Sequence, residues 1–202
     1  MFIRKESLRE FIRLYPCVTG ILCLNAALFF AISLPIFPKG IILEHTIGIN
    51  LYIREGELWR LLTPIFIHSN ATHFIFNTFT ILILGPAVEV MLKPFRFLLL
   101  YFVSGVGANT VTYLIKPLTY SHLGASSSIF GFFGFYLFLL AAKKHVMTKQ
   151  DASMIKALTA LALFMPIFQA NVNLTAHFAG CAIGFAMAFL YSYSNKNLFH
   201  QW

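Results

Sequence analysis

The sequence predicts an all-α membrane protein, a bundle of six transmembrane helices with both termini in the cytoplasm. Three observations lead there. The first is composition: of 202 residues, 58% are hydrophobic and only 11% charged, against about 25% charged in a soluble domain. With a mean hydropathy of +0.76, such a chain lacks the polar surface that water requires. The second is length, which suits one domain and limits the count to six or seven spans of about 20 residues each. The third is the placement of charge. Arg4, Lys5, Arg9, Arg13, Lys93, Arg96, Lys143, Lys144, Lys149, Lys156 and Lys196 fall on the side of the termini, and Lys39, Arg54, Arg60 and Lys116 on the other. Basic residues concentrate on the cytoplasmic side of a membrane protein. In a soluble protein a net charge of +8 would suggest nucleic acid. Here the topological bias accounts for it, and the expected surroundings are the lipid bilayer.

Taken in order, residues 1–16 carry four basic side chains, with Leu8, Phe11, Ile12 and Tyr15 at helical spacing. They read as an amphipathic cytoplasmic segment lying on an anionic membrane face. The six-helix domain is residues 17–194, and residues 195–202 are a cytoplasmic tail. The first apolar run, 17–37, is too long for a signal peptide, and no convincing cleavage site follows it. Residues 39–71 form a long connection rich in Ile and Leu, expected to lie half-buried in the interface with Trp59 as an anchor. Spans follow at about 72–91, 97–115, 124–142, 153–168 and 175–193. A tight basic turn, Lys93-Pro94-Phe95-Arg96, joins the second and third, and 169–174 is a short polar turn without charge. Cys17, Cys23 and Cys181 sit in apolar segments without metal-ligand spacing and read as packing residues.

Polar side chains at membrane depth are costly and are functional candidates by default. The stretch 123–136, LGASSSIFGFFGFY, puts three serines at the mouth of an apolar run. By itself it is also consistent with a small, packable helix face. His68, His73, Asn77, Ser126 and His177 are the other noteworthy groups. With both ends inside, the second, fourth and sixth spans all start at the outer side, so these clusters share one depth. His73 and Asn77, spaced i,i+4, lie on one helix face. Gly180 and Gly184 form a G-x-x-x-G packing motif after His177.

Such a group allows acyl transfer. A serine hydroxyl needs a base, and a neutral histidine can take its proton. The tetrahedral intermediate needs donors placed in advance for its oxyanion. Backbone N–H groups at the start of the fourth span, Asn77 and His73 can supply them. Glu6, Glu10, Glu89 and Asp151 fall on the cytoplasmic side and Glu44, Glu55 and Glu57 in the first outer loop, so a Ser–His dyad fits better than a triad.

The residues resemble the rhomboid family of intramembrane serine proteases. Gly124-Ala125-Ser126-Ser127 resembles the family's G-x-S-x motif, continued by Ser128-Ile129-Phe130-Gly131. His177-x-x-Gly180-x-x-x-Gly184 resembles the last-helix motif of the general base. His68-x-x-x-x-His73-x-x-x-Asn77 resembles the second-helix motif, Trp59-Arg60 the W-R pair of the first loop, and 85–89, GPAVE, the end of the second helix. The resemblance covers residues 50–190. It implies Ser126 as nucleophile and His177 as base, with His73 and Asn77 at the oxyanion and His68, Gly124, Phe130, Gly180 and Gly184 supporting the site. It implies hydrolysis of peptide bonds in or near transmembrane helices of membrane-protein substrates, with no cofactor and no metal. It also implies a cell-membrane location, with the site opening to the non-cytoplasmic side. One departure is Ser127, where many members have Gly; a side chain there can crowd the oxyanion site.

Three alternatives compete. A non-catalytic binder of the same fold is disfavoured by the intact Ser126 and His177. A small channel would continue its polar residues into the cytoplasmic half, and they stop. A metal site at His68, His73 and His177 lacks carboxylate or cysteine partners at suitable spacing. The oligomeric state is left open.

Overall fold

Proline, glycine and buried carboxylate between them set the first half of the fold. The computed structural model describes residue 2 and residues 4–143, 146–168 and 172–194, without the side chains of 165–168. Lys144, His145, residues 169–171 of the 169–174 turn, and the 195–202 tail with Lys196 lie outside the described residues. Helix α1, Leu8–Leu14, begins at a capping box in which Ser7 and Glu10 satisfy each other's backbone N–H groups. It is shorter than the whole 1–16 segment. Helix α2, Pro16–Ser33, starts with Pro16 at its first position, where a missing N–H costs nothing. The N–H groups of Cys17 and Val18 donate to the Glu89 carboxylate at 2.9 and 2.8 Å. A buried anion thus closes the positive end of α2.

Glu89 comes from α5, Ala71–Ile115. Pro86 lies inside that helix and cannot donate to the carbonyl of Leu82, four residues back; Arg4 donates to that carbonyl instead. Gly85 lets Val18 approach, since a Cβ there would stand 2.9 Å from Val18 Cγ2. At 45 residues and about 1.5 Å per residue α5 would run about 68 Å, twice a bilayer core. It is broken at Lys93, whose φ of 67° and ψ of 159° are not helical, just before Pro94. The two legs correspond to the expected spans 72–91 and 97–115. They fold back on one another, because the 3₁₀ turns Leu58–Leu61 and Thr63–Phe66 lead into the first leg while bonding the second. Asn109 Nδ2 donates to Leu61 O at 2.8 Å, and the Tyr101 hydroxyl to Ile65 O at 3.5 Å.

Lys93 occupies backbone territory that only glycine enters freely. Lys93→Gly is therefore expected to raise stability by about 1 kcal/mol, read as a higher unfolding temperature in detergent with unchanged helix content.

The 39–71 connection is more structured than a half-buried strap. It contains α3, Lys39–Thr46, a two-residue strand β1, Gly48–Ile49, and α4, Asn50–Arg54. Strand β1 pairs antiparallel with β2, Ser121–His122, in the register Gly48 to His122, so the fold is not purely helical. The ring of His122 fills the space a side chain on Gly48 would need. Asn50 Nδ2 donates to the carbonyls of Lys116 and Pro117 at 3.1 and 3.0 Å. Trp59 is half exposed and donates to His45 O at 3.2 Å. Arg60, counted above as an outer-side charge, is buried; it bonds Glu57 and the carbonyls of Glu44 and Ile47 and lies under Tyr52.

Helix α6, Ser126–Ala142, is the centre of the molecule. Every residue from Ser127 to Tyr136 is buried, so its serines face protein and not lipid. It begins two residues later than the sequence suggests, because Gly124 is not helical. Helix α7, Lys149–Phe168, is capped by Thr148 against Asp151. Helix α8, Leu174–Ser194, packs on α6 through glycines: a Cβ on Gly134 would meet Phe185 N at 2.7 Å, and one on Gly184 would meet Gly131 Cα at 2.7 Å. Outside, Phe30, Phe76, Phe79, Phe164, Phe178 and Phe189 stand exposed, a density of bare aromatic rings that is rare on a water-soluble monomer. Among the described residues three helices, α2, α5 and α8, are long and apolar enough to cross a membrane, and α6 is a shorter apolar helix.

Candidate active site

The starts of α5, α6 and α8 lie at one end of the bundle. Gly124 is the point where polar groups of α5 and α6 meet. Its φ is +123°, which a side chain would strain, and its N–H donates to Pro64 O at 2.8 Å. A Cβ at Gly124 would sit 2.6 Å from Cε1 and Nε2 of His73, and 3.7 Å from the Ser126 hydroxyl. Glycine here thus lets the Cε1–Nε2 edge of His73 lie close against the backbone just before Ser126.

Ser126 is the first residue of α6. The first bond into that helix is Ile129 N–H to Ala125 O at 3.0 Å. The N–H groups of Ser126, Ser127 and Ser128 therefore have no acceptor within the helix, and with the positive end of the helix dipole they favour a negative charge. Phe130 lies one turn further on the same face as Ser126. The imidazole of His177 stacks on the Phe130 ring, centroids 4.0 Å apart and planes 13° off parallel, and is buried. Gly180, one turn along α8 from His177, lets α8 reach the Ser127 carbonyl, since a Cβ there would stand 3.3 Å from that carbonyl carbon. Phe130, Gly180 and Gly184 together set how deep His177 sits against α6.

His73 and Asn77 occupy one face of α5. Asn77 is buried, and its Nδ2 has no hydrogen-bond partner. His68 precedes the helix, wholly buried, with its ring edge-on to His73 at 5.2 Å and to Phe74 at 5.5 Å. Burial, and after it the neighbouring His73, pushes the His68 imidazole down to about 3. His68 is thus a neutral ring that walls His73. Ser127 is buried with an unpartnered hydroxyl, and its backbone carbonyl lies against Gly180 of α8.

Three further residues position these side chains and were not singled out from the sequence. Asn70 caps α5 by accepting from His73 N–H at 2.9 Å. Asn173 caps α8 by accepting from Ala176 N–H at 3.1 Å, and its amide donates to Thr112 at 3.0 Å, tying the start of α8 to the end of α5. Pro64 holds Gly124. The two asparagines carry a legible signal, an Asn just before an apolar helical run. Pro64 carries none, because its partner is 60 residues away. Among the described residues no three His, Cys, Asp or Glu side chains could hold a metal ion.

A lipid-facing helical surface around a polar site enclosed between three helix starts defines a multi-pass membrane protein. A family model for the rhomboid domain matches residues 55–194. Over 190 residues the chain is 44% identical to the rhomboid protein YdcA of Bacillus subtilis (strain 168), spanning 94% of this chain and 96% of that one. It is 32% identical over 139 residues to the rhomboid protease GluP of the same organism, 69% of this chain and 27% of that one. With rhomboid-like protease 1 of Toxoplasma gondii it shares 30% identity over 179 residues, 84% of this chain and 60% of that one. The chain belongs to the rhomboid family.

Proposed function

We propose that the protein is an intramembrane serine endopeptidase that cleaves peptide bonds in or near the transmembrane helices of membrane-protein substrates. The observation that carries this reading is the meeting of Ser126 Oγ and the His73 imidazole around Gly124, with His177 stacked one turn below on Phe130. Similarity to the named rhomboid proteases supports it.

In this reading Ser126 Oγ attacks the scissile carbonyl carbon while neutral His177 takes its proton. The new C–O bond forms as the carbonyl electrons move onto oxygen. That oxyanion lies before the free N–H groups of α6 and near His73 Nε2 and Asn77 Nδ2, whose unpartnered amide is poised to donate. His177 then returns the proton to the leaving amine, and the peptide C–N bond breaks. Water, deprotonated by His177, hydrolyses the acyl-enzyme and frees Ser126. Gly124 and Gly180 keep the reacting atoms close, and His68 holds His73 in place.

The proposed topology counts α2, the two legs of α5, α6, α7 and α8 as six spans, with both termini cytoplasmic and the site opening to the non-cytoplasmic side of the cell membrane. Residues 17–194 are the catalytic domain, with 1–16 an interfacial segment.

The test is labelling by a fluorophosphonate probe in mild detergent. Wild type is expected to react and Ser126→Ala not to. A folded wild type that stays unlabelled would favour the non-catalytic binder, with Ser127 the first side chain to blame. Asn77→Ala is expected to lower kcat by about 10²-fold with KM little changed; an unaltered kcat removes Asn77 from the oxyanion role.

A further inference from the structure

We propose that Ser69 is a positioning residue that sets the tautomer of His73, so that His73 presents an Nε2–H to the oxyanion. The inference rests on the reading of the site given above, and it concerns a residue at an unspecified position of the His68–Asn77 motif.

The direction of the first two hydrogen bonds follows from one fixed donor. The His73 backbone N–H can only donate, so the side-chain atom of Asn70 it meets at 2.9 Å is the amide oxygen. The other amide atom is then the NH₂ group, which has no capacity to accept. It stands 3.1 Å from Ser69 Oγ, and Ser69 accepts there. The Ser69 hydroxyl proton is thereby free for its remaining neighbour, His73 Nδ1, at 3.3 Å, and the proposal is that Ser69 donates there and does not use its second lone pair to accept. A neutral imidazole carries one ring proton, and which nitrogen holds it is decided by the partner of the other. A donor at Nδ1 makes Nδ1 the acceptor and places the proton on Nε2. Nε2 belongs to the ring edge that lies against Gly124, two residues before Ser126.

The chain of donors runs from Asn70 through Ser69 and His73 to the point where negative charge develops. Its members lie within the five residues 69–73 around the start of α5, where Asn70 also caps the helix. The opposite tautomer would turn a bare nitrogen lone pair toward the oxyanion and repel it. An outer-shell hydrogen bond of this kind orients a histidine and tunes its basicity. Ser69 is exposed, so water competes for the same nitrogen and the expected effect is moderate.

The experiment measures the rate constant of inactivation and the apparent affinity for the fluorophosphonate, using the full chain in detergent. Ser69→Ala is expected to lower the rate constant about fivefold with affinity and unfolding temperature unchanged. Ser69→Thr, which keeps the hydroxyl, should stay within twofold of wild type. In a His73→Ala background Ser69→Ala should cost nothing more, because Ser69 acts through His73. A wild-type rate in Ser69→Ala overturns the proposal, as does a loss that persists without His73. Nitrogen-15 spectra of histidine-labelled wild type read the tautomer directly: a protonated Nε2 with an accepting Nδ1 at His73 is expected, and a protonated Nδ1 overturns the proposal. Were wild type not labelled at Ser126 at all, the protease reading would fail, while the spectra would still decide the Ser69–His73 contact.

Discussion

Ser126→Ala and His177→Ala should each reduce cleavage of a reporter transmembrane substrate by roughly 10⁴–10⁶-fold, to background. The two residues act as a unit, since the hydroxyl is a weak nucleophile until the imidazole takes its proton. The double variant should therefore be no worse than either single one. Neither change is expected to unfold the protein. Ser126 stands at the first turn of α6 and its truncation removes a single oxygen atom, and His177→Ala leaves the glycine contacts of α8 intact. The readout is product formation beside an unfolding curve in the same detergent. Wild-type turnover in either folded variant would sink the assignment. The pair also separates chemistry from binding: substrate should still associate with Ser126→Ala, and capture of uncleaved substrate by that variant checks it.

The second large effect lies away from any reacting atom. Gly184→Ala should lower stability by about 3 kcal/mol or more and remove activity with it. Its Cβ would meet the backbone of Gly131, with Cα and carbonyl carbon both at 2.7 Å. Overpacking a core side chain costs about 1–3 kcal/mol, and here the obstacle is main chain, which cannot rotate aside. Helix α8 would have to withdraw from α6, and with it His177, seven residues back on the same face. The expected signature is a lower unfolding temperature together with lost fluorophosphonate labelling. Full labelling at an unchanged unfolding temperature would show that the two helices approach less closely than described.

Much of the architecture was legible because it is encoded locally. Apolar runs of span length, the basic turn at 93–96 and the glycines after His177 need only composition and helical periodicity to be read. The approach of His73 to Ser126 was legible for a different reason: a chain that reverses at every turn brings the starts of alternate helices to one end. What stayed hidden depends on partners far apart in sequence. Glu89 reads as one more charge near a helix end until α2 delivers Cys17 and Val18 to it. Arg60 reads as a solvated cation until three acceptors surround it. Residues 48–49 and 121–122 are too short to show a strand pattern, and they pair only because the connections they belong to are packed side by side.

The sequence by itself determined that this chain is a multi-pass helical membrane protein of the rhomboid family, and which side chains are candidates for its chemistry. Hydropathy and motif order settle both without a third dimension. Only the tertiary structure decided how those candidates are held: the left-handed backbone at Gly124 that lets His73 face Ser126, the stacking of His177 on Phe130, and the Asn70–Ser69 arm behind His73. These depend on distances of a few ångströms between separate helices. Close packing fixes such distances, and no pattern along one chain records them.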